Sequence, residues 1–319
     1  MKTTIAFLDA STVDYGDIDF SSLHALGAFQ RYDHTAPAEL SARMHGIEIA
    51  ISNKVVLGAE TIAANPSLRM IAIAATGLNN VDIPAAERAG IAVANVPGYS
   101  TDSVAQFTMT QVLVLATNIQ RYDEAARRGE WSRSPVFTMG NWPSFELHGK
   151  VMGILGMGAI GSRVAHLASS FGMKVLALRR AGAATDAFER GDLQGIAARA
   201  DFVSVHLPLT NETRLLIGEE FLFKMKPTAF LLNTARGAIV DTAALVRALH
   251  AGSIAGAAID VLDEEPPPPD HPLLGAPRCI VTPHVAWAGR EARERLVAEI
   301  AKNIGAFLAG NRRHRIDSE

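Results

Sequence analysis

Short apolar runs punctuate the first hundred residues, at positions 5–8, 47–51, 70–74 and 91–94. Their length and β-branched content predict buried parallel strands. Helical spacing between them predicts helices over residues 37–44 and 83–89, the second closed by Gly90 as a C-cap. Strand and helix in alternation predict an α/β sheet. A longer helical pattern runs from about residue 102 to 128, with Thr101 or Asp102 as its N-cap. Periodicity is then lost over residues 129–148, although Trp131, Pro135, Trp142 and Pro143 keep the segment apolar. Two readings stand open there: an arm facing a partner, or a loop wrapped on its own chain.

A second series begins at Lys150. Apolar runs at 151–155, 174–178, 202–207, 229–233, 256–261 and 279–282 predict strands, and residues 160–171 a helix. Residues 288–309 predict an amphipathic helix with Leu296, Ile300, Ile304 and Phe307 on one face. No repeat of fixed period is present. A chain of 319 residues is long for one core, so two domains are expected. The order of elements predicts a Rossmann-type, doubly wound parallel sheet over residues 101–287, embedded between two pieces of a flavodoxin-like α/β domain, residues 1–100 and 288–319.

Composition adds exclusions. The chain is 48% apolar and 20% charged, ordinary for a globular protein. Its net charge of −3 points to no nucleic-acid partner. The basic cluster Arg312, Arg313, His314 and Arg315 reads as a short solvated tail. The single cysteine, Cys279, lies in an apolar run, which favours packing over reactivity and fits a reducing, cytoplasmic compartment. The first residues reach Asp9 too soon for a signal peptide, and no apolar stretch is long enough to span a bilayer. No metal is expected.

Gly156-Met157-Gly158-Ala159-Ile160-Gly161 follows a predicted strand and opens a predicted helix. Gly156 permits the tight turn, Gly158 lets a pyrophosphate approach the backbone, and Gly161 lets helix and strand pack closely. The helix N-terminus adds free N–H groups and the positive end of its dipole. The end of the next strand is where an acid would hold the adenosine ribose of NAD. Here stand Arg179 and Arg180, which would pair with a 2′-phosphate instead. NADP(H) is therefore expected over NAD(H).

Arg236, Glu265 and His284 each follow a predicted strand, where open α/β sheets bind ligands. Reduction of a 2-keto acid needs a cation for the carboxylate and a proton donor. Arginine offers a rigid fork, histidine is the usual acid near neutral pH, and a carboxylate can hold the ring in place. Taken singly, each residue also has a plain structural reading: a helix cap, a solvated acid, a satisfied core histidine.

The series Asn95-Val96-Pro97-Gly98-Tyr99-Ser100, the glycine turn, Asn233-Thr234-Ala235-Arg236-Gly237, Glu265-Pro266 and Pro283-His284 resembles the D-isomer-specific 2-hydroxyacid dehydrogenases over nearly the whole chain. The stretches from Tyr99 to Gln106 and from His284 to Trp287 resemble the glycerate dehydrogenase, hydroxypyruvate and glyoxylate reductase branch. The resemblance implies a homodimer of two-domain subunits. It implies that Arg236 binds substrate carboxylate and carbonyl, that His284 exchanges the proton, and that Glu265 pairs with His284. It places Asp260 at the nicotinamide carboxamide, and backbone N–H groups near Thr76, Gly77 and Leu78 at the substrate carboxylate. Asn53 becomes a substrate-pocket residue. His206, Leu207 and Pro208 line the adenosine side, and Thr234, Ala235 and Ala286 join the cofactor contacts. Two positions depart from the family's pattern, Asn79 and Gln106, where acids are common. The aromatic segment with Trp131, Phe137 and Trp142 matches the dimer-forming region.

The expected reaction is reduction of hydroxypyruvate or glyoxylate to D-glycerate or glycolate, and its reverse. A dinucleotide-sensing corepressor-like module and a dehydrogenase of larger 2-hydroxy acids remain as alternatives, because fold alone does not fix function.

Overall fold

A computed structural model describes residues 2–179 and 188–317. The chain divides into two compact units, one of Met1–Ser100 with Ala288–Glu319, the other of Thr101–Trp287. Among the described residues no helix is long and apolar enough to cross a membrane.

The first unit is a parallel sheet of five strands: β1 (Thr4–Phe7), β2 (Ala28–Arg31), β3 (Ile49–Ser52), β4 (Met70–Ile73) and β5 (Ala92–Ala94). Its order is β2-β1-β3-β4-β5, the flavodoxin-like arrangement. β3, β4 and β5 are buried throughout, which is why their sequences read as unbroken apolar runs. β2 lies at the edge and is mostly exposed, so it carries no such run and nothing in its residues signals a strand. Helices α1 (Ser21–His24), α2 (Pro37–Met44), α3 (Ala59–Ala63) and α4 (Ile83–Arg88) fill the four crossovers in turn. α4 starts on Asp82, whose carboxylate accepts from the Ala85 N–H, a cap worth about 1 kcal/mol. The last helix of the chain, α11 (Arg290–Leu308), buries Leu296, Ile300 and Ile304.

The basic residues near the end are not a solvated tail. Arg315 forms an antiparallel bridge with Ala94, and the Ile316 N–H donates to Val93 O at 2.9 Å. The Val93 N–H donates to Asp317 Oδ1 at 2.9 Å, and Arg315 pairs with the same carboxylate. Arg313 pairs with Glu299 and bonds Asn303 Oδ1. Charge pattern alone suggests solvent because β5 is remote in sequence, and a run of arginines does not show which acids it meets.

The second unit is a parallel sheet of seven strands: β6 (Val151–Leu155), β7 (Lys174–Leu178), β8 (Glu189–Gly191), β9 (Phe202–Val205), β10 (Phe230–Asn233), β11 (Gly256–Ile259) and β12 (Cys279–Val281). The order β12-β11-β10-β9-β6-β7-β8 is doubly wound and reverses between β6 and β9. Cys279 on β12 is half-buried, and that burial pushes its thiol up to about 12, so it packs rather than reacts.

The single helix expected over 102–128 is two. α5 (Thr101–Thr117) starts at Thr101 itself, and α6 (Ile119–Arg127) follows after Asn118. Asn118 takes the left-handed conformation, φ 52°, which its short amide tolerates. Its Nδ2 donates to Pro143 O at 2.7 Å. Asp102 pairs with Arg163 instead of capping. Among the later crossovers, α7 (Ala159–Ser170) joins β6 to β7, α8 (Leu193–Arg199) precedes β9, α9 (Glu219–Lys224) precedes β10 and α10 (Thr242–Ala251) precedes β11. Residues 129–148 are divided in their packing. Phe145 stacks on Phe230 and lies tilted against Phe202 at the margin of the core, and Tyr122 meets Trp142 edge-on. Trp131, Val136 and Phe137 are exposed, Phe137 by 90%.

Candidate active site

The glycine turn lies where β6 meets α7, beside the reversal of strand order. Each glycine has a separate physical reason. Gly156 has φ +105°, and a Cβ there would come within 2.5 Å of His206 O, so the turn and the end of β9 touch backbone to backbone. At Gly161 a Cβ would lie 1.9 Å from Gly156 O. Gly158 is different, because a Cβ there would meet nothing within 4 Å. Its side of the turn is an open cradle beside the first N–H groups of α7. The first backbone bond of that helix runs from the Ser162 N–H to Gly158 O, and the N–H groups ahead of it have no intrahelical acceptor. An open glycine face, free N–H groups and a helix dipole fit a pyrophosphate.

Arg179 is exposed just past β7, and its N–H donates to Gly191 O at 2.8 Å. Arg180 lies outside the described residues. His206 follows β9, with Nε2 2.8 Å from Ser204 Oγ. Burial pushes its imidazole down to about 4, so it stays neutral near neutral pH. Leu207 packs at the margin of the core, next to Pro208.

Arg236 follows β10. The buried Asn233 amide brackets the turn ahead of it, accepting from the Ala235 N–H at 3.0 Å and donating to Arg236 O at 2.9 Å. Thr234 Oγ1 lies 3.3 Å from Thr108 Oγ1 on α5. The Arg236 guanidinium donates to Ala235 O at 2.6 Å, which uses one of its five N–H donors.

His284 follows β12 with φ 53°, a costly conformation for a non-glycine residue. Asp260, just past β11, holds it there. The His284 N–H donates to Asp260 O at 2.8 Å. The Asp260 carboxylate accepts from Thr282 Oγ1 at 2.6 Å, from the Val285 N–H at 3.0 Å and from the Ala286 N–H at 2.9 Å. Asp260 is 1% exposed, and burial raises its carboxyl against the pull of those donors. The imidazole is oriented from the other side: Nδ1 donates to Glu265 Oε2 at 2.6 Å, and Glu265 Oε1 accepts from the Leu262 N–H at 2.9 Å. Both side chains remain about a quarter to a third exposed, at 26% and 32%. A histidine with Nδ1 tied to a carboxylate presents Nε2 for proton exchange.

In the first unit, Asn53 follows β3 and is buried. Its N–H donates to Asp9 Oδ1 at 2.9 Å and its Nδ2 to Thr12 Oγ1 at 3.0 Å. Asp9 also takes the N–H groups of Lys54 and Val55. Thr76, past β4, donates through Oγ1 to Val96 O at 2.8 Å, and Gly77 and Leu78 follow it without regular structure. Sequence reasoning missed Asp9, which organizes that loop. It also missed the scaffolding roles of Asn233 and Asp260, which show only through partners on other segments.

A doubly wound sheet with an open glycine cradle at its switch point, and an oriented histidine past the end of another strand of that sheet, marks an enzyme that works with a nicotinamide dinucleotide. Residues 109–286 match the family model described as D-isomer specific 2-hydroxyacid dehydrogenase, NAD binding domain. A glycerate dehydrogenase of Methylorubrum extorquens is 40% identical over 97% of this chain and 98% of its own length. A glyoxylate reductase of Aeropyrum pernix is 44% identical over 79% of this chain and 76% of its own. A crystal structure of a Thermus thermophilus protein superposes with a TM-score of 0.89 at 34% identity, covering 98% of this chain and all of the other. The chain belongs to the D-isomer specific 2-hydroxyacid dehydrogenase family.

Proposed function

We propose that this chain reduces hydroxypyruvate or glyoxylate to D-glycerate or glycolate, that it runs the reverse, and that it prefers NADP(H) to NAD(H). The observation that carries the reaction is the oriented His284–Glu265 pair near the end of a sheet whose glycine turn fits a dinucleotide. The relatives named glycerate dehydrogenase and glyoxylate reductase support the substrate class. The dinucleotide supplies the hydride that goes to the carbonyl carbon.

The protein's own residues do the rest. Arg236 binds the substrate carboxylate with its fork and polarizes the carbonyl. His284 Nε2 gives its proton to the carbonyl oxygen in reduction and takes it back in oxidation, while Glu265 holds the ring by Nδ1. The N–H groups around Thr76, Gly77 and Leu78 hold the substrate carboxylate, with Asn53 beside them. Gly156, Met157, Gly158, Ala159, Ile160 and Gly161 carry the pyrophosphate. His206, Leu207 and Pro208 line the adenosine, with Thr234, Ala235 and Ala286 completing the cofactor contacts. Asp260 Oδ2 accepts one described bond, from Ala286, and keeps a lone pair for the carboxamide N–H. Arg179 and Arg180 meet the 2′-phosphate.

The exposed Trp131 and Phe137 support a homodimer formed through residues 121–148. A fully active monomer on size exclusion would refute that. A cytoplasmic location fits a chain whose one cysteine is packed away.

A panel of 2-keto acids assayed with NADPH and NADH in parallel tests the reading. Highest kcat/KM is expected for hydroxypyruvate or glyoxylate with NADPH, and Arg179→Asp should move the preference toward NADH. No turnover of any 2-keto acid overturns the reaction, and higher kcat/KM with NADH overturns the cofactor preference.

A further inference from the structure

Glu265 sits on an exposed stretch between β11 and β12 that has no regular secondary structure around it. A carboxylate on such a loop would ordinarily wander, yet it holds His284 at 2.6 Å. The fixing point is the backbone of Leu262, through its N–H on one side and its carbonyl on the other. On one side, the Leu262 N–H donates to Glu265 Oε1 at 2.9 Å. On another, Gly237 presses directly on the Leu262–Asp263 peptide. A Cβ at Gly237 would lie 2.0 Å from Leu262 C, 2.2 Å from Leu262 O and 2.3 Å from Asp263 N. Gly237 is the residue after Arg236, so the strand end that carries the guanidinium abuts the residue, Leu262, whose N–H anchors the carboxylate.

A third constraint comes from His271, buried at 6% exposure. Its Nδ1 accepts from the Leu273 N–H at 3.3 Å. Nε2 therefore carries the hydrogen, and it donates to Asp263 Oδ1 at 2.9 Å. Although burial opposes it, the bonds from His271 and Thr242 hold the Asp263 carboxyl below its usual range. Asp263 is therefore a charged anchor that ties the peptide to the buried His271.

We propose that the Leu262–Asp263 backbone sets Glu265, and through it His284, in register with the Arg236 strand end, with Gly237 and His271 as its positioning residues. Neither touches substrate; each acts through Glu265. This rests on the reaction proposed above. Loss of alignment by about 1 Å can cost on the order of a hundred-fold in rate, so the effect belongs in kcat.

The test is a set of kinetic cycles on the full-length enzyme, with hydroxypyruvate and saturating NADPH. Gly237→Ala and His271→Ala should each lower kcat about ten-fold or more, with NADPH affinity unchanged. His271→Gln, which keeps an N–H donor for Asp263, should recover most of the loss. In a Glu265→Ala background the same changes should have less than about a two-fold effect, because the group they position is already gone. Full additivity in that background, or wild-type kcat in His271→Ala, overturns the proposal. Should Gly237→Ala fail to fold, the His271 cycle decides alone. Unchanged activity in His284→Ala would instead overturn the underlying reaction, which keeps the two failures distinct.

Discussion

His284 Nδ1 and Glu265 Oε2 lie 2.6 Å apart, and the other oxygen of that carboxylate is held by the Leu262 N–H. The imidazole therefore has one nitrogen tied down and one to offer. Removing the ring by His284→Ala should lower kcat about a hundred-fold or more with dinucleotide affinity retained. Glu265→Gln keeps a hydrogen-bond acceptor but loses the charge, and should give a smaller loss. Equal activity of His284→Ala and wild type in steady-state assays would remove His284 from the mechanism.

Arg236 stands past β10 on a turn framed by the Asn233 amide, so its backbone is fixed before any substrate arrives. Lysine keeps the charge but not the two-pronged geometry. Arg236→Lys should lower kcat/KM for 2-keto acids about a hundred-fold, on the order of 3 kcal/mol. Its melting temperature should stay at the wild-type value. An unchanged KM and kcat would show that the fork is not used.

The glycine turn makes two opposite predictions. Gly158 faces open space, so Gly158→Val should fold normally and weaken dinucleotide binding about ten-fold or more by filling the cradle. Gly161 has Gly156 O in the place of a Cβ, so Gly161→Ala should destabilize the fold by several kcal/mol. Thermal melts with and without NADPH separate the two. A Gly158→Val protein that binds normally would show that the pyrophosphate lies elsewhere.

His206 is neutral when folded, pushed from 6.5 to about 4 by burial. The unfolded chain takes up this proton first, so folding stability drains away as pH falls from 6.5 toward 4, by at most about 3 kcal/mol. Above 6.5 the contribution is fully present. His206→Asn should flatten that part of the urea-midpoint profile. An identical slope in wild type and variant would place the pH dependence on other groups.

Much of the second unit was legible in the sequence, and the reasons are local. The bounds of β6 and β7 follow from apolar runs that stop at polar residues or glycine, since a strand buried on both faces has no other way to be written. The glycine turn was legible because each glycine answers a steric demand within a short stretch of chain. The edge strands β2 and β8 were not, because an exposed edge needs no apolar run. The break at Asn118 escaped because a single left-handed residue leaves the helical spacing on both sides intact.

The sequence by itself determined the alternation of strand and helix, the dinucleotide turn, and the residue types able to move a proton and bind a carboxylate. Only the tertiary structure decided what surrounds them. It folded the basic end onto β5, turned Asp260 into the brace of a left-handed His284, and put Gly237 against the carbonyl of Leu262, the residue whose N–H holds Glu265. These are contacts between segments far apart along the chain. Hydrophobic periodicity records whether a residue is buried; it carries no record of which distant backbone group it meets.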